Sequence, residues 1–147
     1  MAHEFRARRR VEFAETDLAG IVHFSNFFRY MEMTEHEFFR SLGLSVHGPC
    51  GGQLISWPRV RAECSYKSPL AFEDEFEVHL TVHEKRRRSI HYDFRFTTDD
   101  GQLVAHGTIV AVCVAVDSKT GKMTAIAIPP EIDRQIEAAP HPTPLKT

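Results

Sequence analysis

Apolar and polar positions change rhythm along this chain, and each change marks an element. From Phe5 to Phe13 the residues alternate, with Phe5, Ala7, Val11 and Phe13 on one side and Arg6, Arg8, Arg10 and Glu12 on the other. Period two predicts a half-buried strand, in which Arg9 is the one misfit. A loop carrying Asp17 and Gly20 follows, and then the spacing turns helical. Phe24, Phe27, Phe28, Met31, Phe38, Phe39 and Leu42 recur as one stripe of a long amphipathic helix that starts near Ser25. Ser25 or Asn26 is placed to cap its start, and Gly43 to follow its end as the C′ residue. Glu35 falls near the middle of the apolar stripe, where a carboxylate must find a partner or a wet cleft.

Residues 45–53 read as a loop, and from Leu54 onward the pattern is β. Arg59 to Tyr66 is a strand stopped by Ser68-Pro69. Phe76, Val78, Leu80 and Val82 alternate with Glu75, Glu77, His79 and Thr81, and Ile90, Tyr92, Phe94 and Phe96 alternate in the same way. Asp99-Asp100-Gly101 turns the chain into Leu103 to Val116, which is apolar on both faces toward its end and so predicts a central strand. A turn over Asp117 to Lys122, a short strand from Thr124 to Ile128 and a helix from Pro129-Pro130 through Ala138 complete the pattern. One long helix followed by successive antiparallel strands is an α+β arrangement. A helix carrying so many aromatic residues needs a curved sheet wrapped around it. The pattern makes one domain over residues 1–139, followed by a proline-rich tail, 140–147, expected to be disordered.

Composition narrows the function. The 147 residues are 42% hydrophobic and 26% charged, values of an ordinary globular chain. A formal charge of −2 argues against nucleic acid as the main partner, although Arg6 to Arg10 and Lys85 to Arg88 are local basic runs. Three cysteines, Cys50, Cys64 and Cys113, without a C-x-x-C spacing point to a reduced, cytoplasmic protein with neither disulfide frame nor structural zinc. The charged first residues are followed by no apolar targeting stretch, and the longest apolar run, Thr108 to Val116, is too short to span a membrane.

Candidate chemistry concentrates before the long helix. A helix start presents free backbone N–H groups and a partial positive charge, so a ligand carbonyl resting against residues such as Phe24 and Ser25 is polarised there. Asp17, on the preceding loop, could attack such a carbonyl or activate a water beside it; it could equally do no more than brace the turn. The Arg86, Arg87, Arg88 run sits between two good strands, as a solvated hairpin tip or as a phosphate-binding fork. Other signals are weak. His36-Glu37 lacks the second histidine of a zinc-protease helix, His79 and His83 form too small a set for a metal, and no Gly-x-Ser-x-Gly elbow exists. Nothing pairs Cys50 with a base.

The string from Glu15 to Glu32 resembles the signature of the 4-hydroxybenzoyl-CoA thioesterase family of hotdog-fold proteins. Asp17, Gly20, Ile21, Val22, His23, Asn26, Phe27, Tyr30 and Glu32 carry the likeness. The resemblance implies a hotdog fold, with the long helix wrapped by a curved antiparallel sheet. It implies an acyl-CoA thioesterase with Asp17 as nucleophile or general base, backbone N–H groups at Phe24 and Ser25 as oxyanion donors, and Arg86, Arg87 and Arg88 on the coenzyme A nucleotide. It also implies sites at subunit interfaces of a homodimer or homotetramer. No metal or redox cofactor is needed, coenzyme A entering only as part of the substrate. His23 stands where aryl-CoA thioesterases have an aromatic residue, which makes it an auxiliary candidate for lining the pocket or assisting proton transfer. Glu35 is the runner-up base, because other hotdog thioesterases carry their carboxylate on this helix. The alternative reading is a hotdog protein that binds acyl-CoA without hydrolysing it. A hydratase would need a His–Asp or His–Glu pair, for which no motif is evident.

Overall fold

Asn26–Ser41 forms the long helix (α1), and its apolar stripe faces a five-stranded antiparallel sheet. This computed structural model describes residues 1–140, so the expected disordered tail lies outside the described residues except for Pro140. The sheet is built from β1 (Glu4–Arg10), β4 (Arg59–Tyr66), β5 (Glu75–Lys85), β6 (Ser89–Thr98) and β7 (Leu103–Val112) in the order β1-β5-β6-β7-β4. A smaller sheet, ordered β2-β3-β8-β9, joins β2 (Gly48–Cys50), β3 (Gln53–Ser56), β8 (Val114–Val116) and β9 (Met123–Ala125), and a one-turn helix (α2, Pro130–Asp133) follows. This is the hotdog arrangement the aromatic helix implied.

Ring contacts seat the helix. Tyr30 packs on Phe76 at 5.0 Å between ring centroids, Phe27 on Phe96 at 5.3 Å and Phe38 on Phe5 at 6.2 Å. The alternating residues of β5 and β6, from Phe76 to Val82 and from Ile90 to Phe96, bury their apolar members completely beneath it. Arg9 is no longer a misfit: it stays on the inward side of β1 and donates to Glu37 of α1 at 2.6 Å. Gly107 of β7 lies directly against the Met31 side chain of the helix. A Cβ there would overlap Met31 Sδ and lie 3.2 Å from the Glu63 carbonyl oxygen. Gly107→Val is therefore expected to cost about 1–3 kcal/mol through overpacking. A thermal unfolding curve superposable on wild type would show that the helix does not rest on this strand.

Several expectations need correction. The first strand ends at Arg10, and Phe13 belongs to a 3-10 turn, Phe13–Glu15, where it is exposed. A reciprocal capping arrangement between Glu12 and Glu15 ends the strand pattern there. The region read as a loop, 45–53, contains β2 and the first residue of β3, because Gly51-Gly52 is a two-residue hairpin turn between Cys50 and Gln53. The long apolar strand predicted from Leu103 to Val116 is two strands in different sheets, broken at Cys113. The last strand and helix are shorter than expected, at three and four residues. Neither Ser25 nor Asn26 caps α1 with its side chain, and Phe24 lies before the helix, mostly exposed. Gly43 does close it, donating to the Arg40 carbonyl while Leu44 donates to that of Phe39.

Candidate active site

Residues 15–23 form a small tongue just before α1. Its sides are bridged between Thr16 and Val22, and the Asp17 amide donates to the Ile21 carbonyl at 2.8 Å. Gly20, with φ +81°, takes the left-handed turn that brings the chain back, and its amide donates to the Asp17 carbonyl. The tongue leans on the connection between β4 and β5 through the Val22 amide, bonded to the Leu70 carbonyl, and through a bridge between Ile21 and Ala71. Its neck is stapled by Asn26. The buried Asn26 side chain donates to the Glu15 carbonyl at 2.8 Å, and the His23 amide donates to the same oxygen at 2.9 Å.

Within the tongue, Asp17 Oδ1 accepts the Ala19 amide at 2.8 Å and, at 3.4 Å, that of Ile21. Oδ2 has no partner among the described residues. The carboxylate lines a cleft of about 540 Å³ together with Ile21, Phe24, Phe27, Tyr66 and Lys67. An acidic residue, a basic residue and several aromatic residues therefore line a largely apolar cleft near the start of a helix.

The two expected backbone donors differ. The Ser25 amide is directed at His23 Nδ1, 3.3 Å away, and the Ser25 hydroxyl lies 2.7 Å from the same nitrogen. The Phe24 amide has no acceptor among the described residues, which leaves it the better placed for a ligand oxygen. His23 stacks on the Phe24 ring at 4.6 Å and turns toward Ser25 rather than lining the cleft.

Glu35 sits apart from this cleft, nine residues into the helix and so about 13 Å farther along its axis. It is 1% exposed and held by Arg59 through two bonds, Nη2 to Oε1 at 2.6 Å and Nη1 to Oε2 at 2.9 Å. Burial pushes the Glu35 carboxyl above its ordinary range while Arg59 pulls it back. Burial also works against the Arg59 charge, but the Glu35 carboxylate outweighs it and raises that pKa. The bidentate geometry makes this a buried ion pair.

Arg86, Arg87 and Arg88 form the exposed turn between β5 and β6. The Cys113 amide donates to the Arg88 carbonyl and the Ile128 amide to that of Arg87, which pins the turn. Arg86 pairs with Glu84, whereas Arg87 and Arg88 have no acidic partner among the described residues. The turn lies at the far end of the sheet from the cleft: Ser89 pairs with Val112, while Ala105, which pairs with Phe96, also pairs with Tyr66. Seven strand residues separate the two ends, about 23 Å.

Tyr66, Lys67 and Asn26 were not read as site residues. The inward period of Ala62, Cys64 and Tyr66 could have pointed to the first of these, whereas no local pattern marks the Asn26 staple. A buried His106–Asp93 contact also exists. Asp93 lies between the inward Tyr92 and Phe94, so the pair sits on the face of the sheet away from α1 and outside the cleft.

Residues 11–136 match the Thioesterase-like superfamily. The chain is 38% identical over 130 residues to a protein of Aquifex aeolicus (strain VF5), covering 87% of this chain and 94% of that one. It is 29% identical over 138 residues to the 1,4-dihydroxy-2-naphthoyl-CoA hydrolase of Synechococcus sp. (strain WH7803), covering 89% and 87%. Among solved structures, a gentisyl-coenzyme A thioesterase superposes with a TM-score of 0.76 at 27% identity, covering 88% of this chain and 99% of that one.

Proposed function

This chain belongs to the thioesterase-like superfamily, and on that premise we propose that it hydrolyses an aryl- or short-chain acyl-CoA to the free acid and coenzyme A. The observation that carries the reading is that Asp17 and Phe24, whose amide has no acceptor among the described residues, line one largely apolar cleft. The thioester carbonyl oxygen rests against the Phe24 N–H, which stabilises the negative charge that develops on it. Asp17 uses its free oxygen in one of two balanced ways. As nucleophile it forms an acyl–aspartyl anhydride with loss of the thiolate, and water then hydrolyses the anhydride. As general base it takes a proton from the water that adds to the carbonyl; collapse of the tetrahedral intermediate breaks the C–S bond and releases the thiolate, which takes up that proton. The aromatic walls supplied by Phe24, Phe27 and Tyr66, and relatives named for naphthoyl- and gentisyl-CoA substrates, favour an aromatic acyl group.

The reading includes a homodimer. Strand β4 is an edge strand whose one strand partner among the described residues is β7, and most of its eight residues are exposed. The other edge strand, β1, carries Arg6, Arg8 and Arg10, a run of like charge that discourages pairing, whereas Arg61 of β4 is offset by Glu63 on the same strand. Two copies paired antiparallel along β4 set the Tyr66 end of one beside the Arg59 end of the other. The Arg59 end of the sheet is also the end that bears the basic turn. One substrate can then have its thioester at Asp17 and its phosphates at Arg86, Arg87 and Arg88 of the partner subunit.

Release of free thiol from a panel running from acetyl- to palmitoyl-CoA, with benzoyl-, 4-hydroxybenzoyl- and phenylacetyl-CoA, tests the reaction. Turnover of an aryl or short-chain member is expected. Binding of coenzyme A with no thiol released from any member would overturn the hydrolase reading in favour of a binding protein. Replacing Arg86, Arg87 and Arg88 together by serine is expected to raise KM at least tenfold with kcat nearly unchanged, since phosphate contacts bind substrate and transition state alike. An unchanged KM would remove the triplet from the site.

A further inference from the structure

Residue 24 is held from two directions. On its N-terminal side, the peptide that carries the Phe24 N–H also carries the His23 carbonyl, which accepts the Asn26 amide at 2.9 Å. On its C-terminal side the Phe24 carbonyl has only a long local bond, from the Phe27 amide at 3.3 Å. The stronger hold on that carbonyl comes from across the cleft, where the Tyr66 hydroxyl donates to it at 3.1 Å. Tyr66 is the last residue of β4, so this bond ties the loop before α1 to the edge of the five-stranded sheet. The rings repeat the link. Tyr66 meets Phe24 edge-on at 6.5 Å and 84°, and Phe27 at 5.3 Å and 72°.

We propose that Tyr66 is a positioning residue for thioester hydrolysis, its hydroxyl fixing the Phe24 backbone so that the Phe24 N–H meets the reacting carbonyl oxygen. This rests on the Asp17 hydrolase reading. The physical reason lies in where residue 24 sits. It precedes the regular helix, it is 61% exposed as a residue, and Ser25 offers no side-chain cap to the helix start. An N–H donor stabilises a developing oxyanion only if it is aimed before the charge appears, and small misplacements are costly. A hydrogen bond to the Phe24 carbonyl removes the freedom of the following peptide, and with both flanking peptides held the N–H direction is set. Burial, with Cys64 beside it, pushes the Tyr66 hydroxyl up to about 12, so it remains a donor throughout the neutral range.

Tyr66→Phe removes one oxygen and keeps the ring contacts. With the fastest acyl-CoA of the panel, kcat is expected to fall about tenfold while KM stays within twofold, because the lost alignment matters most in the transition state. Affinity for a CoA-linked trifluoromethyl ketone, which forms a tetrahedral adduct or hydrate, should weaken by the same factor. Affinity for an acyl-CoA thioether lacking the carbonyl should not change. Tyr66→Leu, which also removes the ring contacts, should add a loss of thermal stability that Tyr66→Phe does not show. If wild type turns over, Asp17→Asn is dead and Tyr66→Phe keeps full kcat, this assignment fails alone. A Tyr66→Phe loss matched by an equal rise in KM or a lowered melting temperature also overturns it, as the mark of a purely structural role. A wild type inert toward every acyl-CoA overturns the hydrolase reading and this assignment with it.

Discussion

Arg59→Ala is expected to destabilise the fold by about 3–5 kcal/mol, the usual consequence of leaving one member of a buried ion pair alone. Glu35 is 1% exposed and takes two of its hydrogen bonds from this one guanidinium. Without Arg59 its carboxylate has lost its counter-charge beneath the helix. For a chain of this size, that loss corresponds to a fall in melting temperature of about 8–15 °C. The sign of the pH dependence follows from burial, which raises the Glu35 carboxyl above its ordinary value. A carboxyl whose folded pKa exceeds its unfolded one contributes stability at low pH and loses that contribution as pH rises through the folded value. With Arg59 gone the upward shift is larger, so the deficit relative to wild type should grow as pH rises above the ordinary carboxylate range. A melting temperature within 2 °C of wild type at pH 7 would contradict the account. Glu35→Gln, if folded, should keep kcat within a few-fold, because Glu35 does not line the cleft.

Local pattern carried some of this architecture and failed on the rest for identifiable reasons. Period two located β5 and β6 because each buries one face beneath α1, and the strand read from Arg59 to Tyr66 matches β4 residue for residue. The Asp17, Gly20 and helix-start sequence marked the tongue because its turn chemistry lies within a few residues. The break at Cys113 was invisible, since Val112 and Val114 belong to different sheets yet read as one apolar run. The Gly51-Gly52 hairpin was read as irregular because its flanking strands are only three and four residues long. Longer-range partners leave no periodic trace. Arg59 lies 24 residues from Glu35, and Tyr66 lies 42 from Phe24. The basic turn was legible as a motif, but its distance from the cleft became visible only through the strand register, and that distance is what the proposed second copy would bridge.

The second large effect belongs to Asp17→Asn. Asparagine keeps the shape and an oxygen that can accept the Ala19 and Ile21 amides, so the tongue should hold its form. What it lacks is a carboxylate oxygen able to attack a carbonyl or take a proton from water. A positioned acid–base group contributes about 10²–10⁴ in rate, and kcat is expected to fall by about that factor while KM changes little. The decisive measurement is thiol release from the fastest acyl-CoA by wild type and Asp17→Asn side by side, with circular dichroism and coenzyme A affinity measured on both. The account predicts at least a hundredfold loss of kcat in a variant that folds and binds coenzyme A as wild type does. Turnover of the variant within tenfold of wild type would contradict it, and would remove the hydrolytic chemistry from the Asp17 cleft.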